Sequence, residues 1–449
     1  MGDSAERGRR PAASTCDGTG RTGRQYTADV QFDVLPFVVW GLILLVSANS
    51  VLWVTSSVVR WVTGVPRRLS GLGERRRARI PTREDVAVLV AAHNEELGIA
   101  RTVRSAHEHV PRGNVFVASD GSTDATAAIA RAVGANVLEV TPNRGKAGAL
   151  SYAIDHFDLA SRFEVVMLLD ADTVLSPDYL DTGLPLFARD EVVAVAGTAR
   201  TAWDPGPSSW LGELLVTHRE RMYLVMQFLM KFGQASRFAN AVNIVPGFAS
   251  MYRTRILSQV DIAAPGLVIE DFNMTFEVQA KELGTIAFDP RAARAYTQDP
   301  DSLPAYTKQV RRWSLGFWQT LKRHASLPLR FRAFLSLYIV ELTFTSLVIV
   351  AMPALILLSL VVGFEAVHGP SPLESFAATV PALGLLLGYF AADLFVTIVA
   401  FSIDHRPQFL RWVLLLPAVR WLDAVLCLQA AVLSLRGRAD GRWQSPTRR

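Results

Sequence analysis

Val165-Val166-Met167-Leu168-Leu169-Asp170-Ala171-Asp172 runs five apolar residues into two carboxylates spaced two apart. An unbroken Val/Leu run of this length reads as a strand covered on both faces, as in parallel sheets flanked by helices. Acids at its carboxyl end fall where open α/β sheets hold ligands, in the crevice beyond the strand ends. Working outward, residues 86–92, 115–119, 137–140 and 192–199 are further Val-rich predicted strands bounded by Gly, Asn, Asp or Arg. Helical patterns fill the gaps: Ile99, Val103, Ala106 and Val110 keep a 4,3,4 spacing, and Ser122 or Thr123 is expected to cap an Ala-rich helix ending near Gly134. The alternation predicts β-α-β units building a parallel, Rossmann-like α/β sheet from Asp85 onward.

The carboxylates carry the chemistry. Asp170 and Asp172 at a strand end can offer oxygens to Mg²⁺ or Mn²⁺, which in turn can hold a diphosphate leaving group. Strand context separates them from Asp299-Pro300-Asp301, which has the same spacing in a Pro-rich loop with no predicted strand before it. Asp120-Gly121-Ser122 follows the second strand and brings a carboxylate to the same edge, where a nucleotide can sit; helix capping by Asp120, Ser122 or Asp124 is the plainer reading. His93-Asn94-Glu95 falls in that crevice too, with Asn94 and Glu95 as substrate-binding candidates and no role for His93. No GxxxxGK[ST] loop surrounds Asn143-Arg144-Gly145-Lys146 and no GxGxxG follows the first strand, which argues against an ordinary ATPase or dinucleotide enzyme, although Lys146 and Arg144 can meet phosphate oxygens. Glu270-Asp271 opens a helical stretch over residues 272–283; the pair complements the helix dipole, or Asp271 faces the cleft as a general base. Glu84-Asp85 has the same composition but lies before the first strand.

The 449 residues are 50% hydrophobic and only 19% charged, with a positive mean hydropathy (+0.23), so part of the chain is expected in lipid. Cys16 and Cys427 supply neither a disulfide framework nor a Cys-rich metal site. Residues 1–33 read as a disordered polar tail and residues 34–59 as an uncharged membrane anchor too long for a cleavable signal. The linker 60–84 holds eight arginines against the single acid Glu74 up to Arg83, a cytoplasmic, positive-inside flank. It lacks any pattern that would make it a nucleic-acid arm. After the α/β region at 85–325, residues 326–435 give an amphipathic basic stretch and three apolar runs, at 333–363, 376–401 and 412–435, the last containing Arg420 and Asp423. The tail 436–449 carries five arginines and one acid and reads as inside, whereas an odd number of later spans would place it outside. The topology is therefore open.

Taken together, Asp120 (DGS), Asp170 to Asp172 (DAD), Ile269-Glu270-Asp271 (IED) and Gln309-Val310-Arg311-Arg312-Trp313 (QVRRW) resemble a processive, inverting family 2 glycosyltransferase over about residues 85–325. The QxxRW motif is the most specific of the four. The resemblance implies a GT-A fold inserted between membrane helices, with Asp120 near the uracil, Asp170 near the ribose or diphosphate, Asp172 on the cation and Asp271 as catalytic base beside Glu270. Pro246-Gly247-Phe248-Ala249-Ser250 resembles the acceptor turn, and Gln309, Arg312 and Trp313 resemble the residues that hold diphosphate and acceptor sugar. Two departures stand out: Ile269 replaces the usual threonine, and Pro246-Gly247-Phe248 replaces the usual Cys or Gly-Ser-rich turn. The resemblance is closest to bacterial poly-N-acetylglucosamine, chitooligosaccharide and hyaluronan synthases. It implies a UDP-sugar donor, preferably UDP-N-acetylglucosamine, a growing polysaccharide acceptor, a plasma-membrane location with the catalytic domain cytoplasmic, and room for an accessory subunit. A transferase loading one sugar onto a lipid carrier would share the aspartates.

Overall fold

The computed structural model describes residues 34–63, 78–366 and 382–436; the expectations for the polar tail at 1–33, most of the arginine-rich linker and the basic tail beyond Arg436 lie outside these. The chain divides into a unit of residues 1–44, described only as helical backbone from Val34, and a unit of residues 45–449.

Among the described residues ten strands form two sheets. They are β1 (Val86–Ala92), β2 (Val115–Asp120), β3 (Asn136–Val140), β4 (Val165–Asp170), β5 (Val174–Leu175), β6 (Val192–Ala196), β7 (Thr198–Thr201), β8 (Ala249–Arg253), β9 (Thr285–Ala287) and β10 (Arg294–Thr297). The larger sheet has the order β3-β2-β1-β4-β8-β6-β9 and the smaller β5-β10-β7. Period-2 burial explains why the Val-rich runs are strands: Ala87, Leu89 and Ala91 of β1 face one apolar core, and Val86, Val88 and Val90 face the other. Both faces are covered, as the sequence pattern predicts.

The expectation of a wholly parallel sheet needs correction, because β8 inserts antiparallel between β4 and β6 (Leu169 opposite Ala249, Ala196 opposite Ser250). Its sequence, Ala-Ser-Met-Tyr-Arg, lacks the Val/Leu density that marks the others, so periodicity passes over it. The insertion matters chemically: the Asp170 amide donates to the Phe248 carbonyl (2.9 Å), tying the end of β4 to the turn that precedes β8. The predicted strand 192–199 is likewise two strands. It breaks at Gly197, where any Cβ would collide with the Ala249 carbonyl, and the chain leaves the large sheet for the small one. In the Ala-rich helix (Thr126–Ala132) the N-cap is neither Ser122 nor Thr123 but Ala125, which has no polar side chain to cap with; the Asp124 carboxylate just before it accepts from the Thr126 amide at 3.0 Å.

The longer helices are α1 (Val34–Val62), α2 (Ile99–His107), α3 (Thr126–Ala132), α4 (Gly145–His156), α5 (Trp210–Val225), α6 (Glu270–Ala280), α7 (Leu303–Arg323), α8 (Leu329–Ala366), α9 (Ala382–Ile403) and α10 (Leu416–Arg436). Ser209 starts α5 by accepting the Gly212 amide (3.0 Å), and α5 continues through a π-helical turn at Met226–Lys231. Among the described residues three helical stretches are long and apolar enough to cross a membrane, Leu329–Val361, Leu383–Ile403 and Leu416–Arg436. Asp393, Arg420 and Asp423 within them have partners: Arg420 reaches Asp393 of α9 (3.1 Å), and Asp423 accepts from Tyr306 of α7 (2.7 Å) and lies 3.0 Å from His218 of α5.

Candidate active site

The carboxyl ends of β1 and β4, the start of α4 and α6, and the inner faces of α5 and α7 enclose a cavity of about 690 Å³. That is room for a nucleotide-sized ligand. Nine of the twelve site candidates line it: Glu95, Lys146, Asp170, Asp172, Glu270, Asp271, Gln309, Arg312 and Trp313. Motifs more than two hundred residues apart in sequence thus meet at one cleft.

Three candidates stand off the wall. Asp120 is fully buried, and its carboxylate accepts the Arg144 amide (2.7 Å), fastening the turn that launches α4; burial pushes its pKa up. Asn94 is exposed with a positive φ of 53°, and its side-chain oxygen accepts the Thr123 amide (2.8 Å). Gly247 acts through its backbone, donating to Asp271 Oδ2 at 2.8 Å, and a Cβ there would strike Oδ1 of the same carboxylate.

At the cavity floor Lys146, from the first turn of α4, bridges two carboxylates, with Nζ 2.8 Å from Asp170 Oδ1 and 2.6 Å from Glu270 Oε1. The sequence reading of a turn lysine open to phosphate is therefore incomplete, since Lys146 is already doubly paired. Burial alone would lower its pKa, but Asp170, Glu270 and Asp271 hold it well above the ordinary lysine range. Burial would raise Glu270; the adjacent ammonium outweighs it and leaves Glu270 below the usual carboxylate range. Asp271 goes the other way. Burial and then the Glu270 charge lift it to about 7, with Lys146 and the Gly247 amide opposing. Its Oδ1 is buried without a hydrogen-bond partner among the described residues. Two adjacent carboxyls with pKa values driven apart are the usual arrangement for dividing electrostatic and proton-transfer roles.

A cation would have to use oxygen. Among the described residues no three His, Cys, Asp or Glu side chains converge as a ready metal cage. Asp170 and Asp172 nonetheless both reach the cavity from the end of β4. One or two carboxylates completed by phosphate oxygens suit Mg²⁺ or Mn²⁺, so the donor set fits such an ion.

Several wall residues went unpredicted. Asp299, set aside because no strand preceded it, follows β10 directly and lines the cavity. It is 3% exposed, accepts from Thr201 Oγ1 (2.7 Å) and Tyr223 (2.9 Å), and burial raises it to about 6. The short strand Arg-Ala-Tyr-Thr carries too little apolar pattern to be seen. Arg219 also lines the cavity, and it belongs to the run His218-Arg219-Glu220-Arg221 in the middle of α5, all of it buried. Each side chain turns to a different neighbour: Asp423 of α10, Gln309 of α7, Arg200 of β7 and Asp393 of α9. Five consecutive polar residues, Thr217 to Arg221, between the apolar stretches 214–216 and 222–226 are the available signal.

An open, twisted α/β sheet with a carboxylate-lined cleft at its carboxyl edge and apolar helices after it defines a membrane-associated GT-A glycosyltransferase. The sequence agrees: residues 82–316, more than half the chain, match the family described as Glycosyltransferase like family 2, and the chain belongs to that family. A poly-beta-1,6-N-acetyl-D-glucosamine synthase of Staphylococcus epidermidis is 27% identical over 253 residues, 53% of this chain and 58% of that protein. The Staphylococcus aureus (strain COL) protein of the same name is 25% identical over 280 residues, 61% of this chain and 64% of that one. The chain thus matches less than two thirds of the length of these relatives. Among solved structures, a mannosyltransferase from Pyrobaculum calidifontis in complex with GDP-mannose and Mn²⁺ shares the fold, with a TM-score of 0.53 at 17% identity, covering 90% of this chain and 99% of that one.

Proposed function

We propose that this glycosyltransferase is an inverting, processive polysaccharide synthase that transfers N-acetylglucosamine from its UDP donor to a growing β-linked chain and passes that chain across the membrane. The observation that carries the reading is the convergence of the DAD, IED and QVRRW segments on one cavity, with an unpartnered Asp271 oxygen at its floor. The donor sugar is chosen from the names of the relatives, and the membrane role from the apolar helices that follow the catalytic region.

In this reading Asp271 accepts the proton of the acceptor hydroxyl as its oxygen attacks the anomeric carbon; the bond to the diphosphate breaks on the opposite face and UDP departs. Glu270 and Lys146 keep their charges and hold Asp271 in place. Asp120 and Asn94 shape the uridine end through the turns they fasten, and Glu95 and Asp170 face the donor. Asp172, with Asp170, would hold Mg²⁺ or Mn²⁺, which when bound neutralises diphosphate charge. Gln309 and Arg312 receive the diphosphate, and Trp313 offers an indole face to the acceptor sugar's C–H face. The arginines of the 60–84 linker support a cytoplasmic catalytic domain in the plasma membrane.

The test is the Asp271→Asn variant. It retains UDP binding by calorimetry and loses transfer by about a thousandfold or more, within the range of a removed general base. Transfer at the wild-type rate would end the assignment.

A further inference from the structure

Arg219 sits on the cavity wall, 7% exposed, yet nothing in the motif set assigns it a task. Its guanidinium lies over two rings, 4.6 Å from the Trp313 centroid and 4.8 Å from that of Tyr306. Its Nη2 donates to Gln309 Oε1 at 3.3 Å, and its Nε lies 3.8 Å from Asp299 Oδ1. Arginine suits such a slot because its cation is planar and can stack while its edge donates. Tyr306, the other plate of the stack, is fully buried, and its hydroxyl donates to Asp423 of the membrane-length helix α10 at 2.7 Å. The same Asp423 faces His218, the residue before Arg219, at 3.0 Å.

We infer that Arg219 is a positioning residue that fixes the Trp313 indole against the cleft, its own seat being set through Tyr306 by Asp423 of the last apolar helix. The inference rests on the reading of Trp313 as the acceptor platform. It makes acceptor binding depend on a contact between the catalytic unit and a helix long enough to lie in the bilayer. A shift of α10 is then felt first as a change in acceptor affinity.

The experiment is a double-mutant cycle on the full chain in lipid nanodiscs, with UDP-N-acetylglucosamine as donor and an N-acetylglucosamine oligosaccharide as acceptor. Arg219→Lys keeps the charge and removes the flat face. It is expected to raise the acceptor KM about tenfold, the scale of a lost buried cation–π contact, while kcat and the donor KM stay within about twofold. In a Trp313→Ala background, where the acceptor KM is already high, the same change should add less than about twofold, since the two act as one unit. Equal effects in both backgrounds, or a rise in the donor KM instead, would overturn the inference: Arg219 would then act on its own or on the diphosphate. If Arg219→Lys does not fold, Tyr306→Leu removes the other plate and must give the same acceptor-selective loss; an unchanged acceptor KM there overturns the inference equally. Trp313→Ala with a wild-type acceptor KM would instead remove the acceptor reading of Trp313, and this inference with it.

Discussion

Gly247 touches the proposed chemistry with no side chain at all, which makes it a sharp probe. A Cβ added there would lie 3.0 Å from Asp271 Cγ and 3.1 Å from Glu270 Oε1, and closer still to Asp271 Oδ1. Ordinary contact begins near 3.4 Å, so the carboxyl carbon must retreat by about 0.4 Å and its oxygen by more. Retreat strains the 2.8 Å bond from the Gly247 amide and pushes the carboxylate toward the already crowded Glu270. A displacement approaching 1 Å at a reacting group costs roughly a hundredfold in rate, so Gly247→Ala is expected to lower kcat by about 10- to 100-fold. The donor KM should hold, because the perturbed groups lie on the acceptor side. Overpacking costs about 1–3 kcal/mol of stability, offset in part by about 0.4–1 kcal/mol from the stiffer unfolded chain, so the variant should remain folded. The assay is UDP release at saturating donor and acceptor, with thermal unfolding recorded alongside. A folded Gly247→Ala protein with wild-type kcat would refute the claim that Asp271 must sit where the Gly247 amide holds it.

Four further outcomes follow from the structure. With Asp271 lifted to about 7, the base is protonated at lower pH, so kcat/KM should fall about tenfold per pH unit below 7 and level off above it; a flat profile between pH 5.5 and 8 would contradict this. The stability sign is opposite: a carboxyl whose folded pKa is raised favours the fold at low pH, and that contribution is lost as pH rises through about 7, so Asp271→Asn should gain more in melting temperature at pH 8 than at pH 5. Chelation by EDTA should abolish transfer, with Mg²⁺ or Mn²⁺ restoring it, and Asp172→Asn should raise the metal concentration needed by about tenfold or more; activity of the chelated wild type would remove Asp172 from that role. Finally, Asp393→Ala leaves the fully buried Arg221 without its carboxylate and should cost about 3–5 kcal/mol of stability, read as detergent-solubilised thermal unfolding; an unchanged midpoint would mean that Arg221 finds another partner.

The sequence was most legible where one residue type does one job over several positions. The strands β1, β2 and β4 are dense in Val and Leu because both faces are covered, and their ends mark the cleft in the sequence itself. Motif order did the rest for Asp170, Asp172, Asp271 and Trp313, which share the cavity wall. What stayed hidden depends on tertiary partners. Strand β8 is held by β4 and β6 on either side, so it needs little apolar pattern of its own. Asp299 has the composition of a solvated loop acid and becomes a buried group only because Thr201, Tyr223 and Arg219 surround it. The charges at 218–221 look unfavourable within an apolar helix until four separate elements supply their counter-groups. The sequence offers Lys146 as a phosphate-binding candidate but does not show it as the bridge between Asp170 and Glu270, since those carboxylates are 100 positions apart.

The most direct test of the central claim is mass spectrometry of the product made by purified membranes supplied with UDP-N-acetylglucosamine and Mg²⁺, beside the Asp271→Asn variant. A ladder of β-linked N-acetylglucosamine oligomers that vanishes in the variant is the expected result. UDP release with a single sugar on a lipid carrier, or an unchanged ladder from the variant, would contradict it.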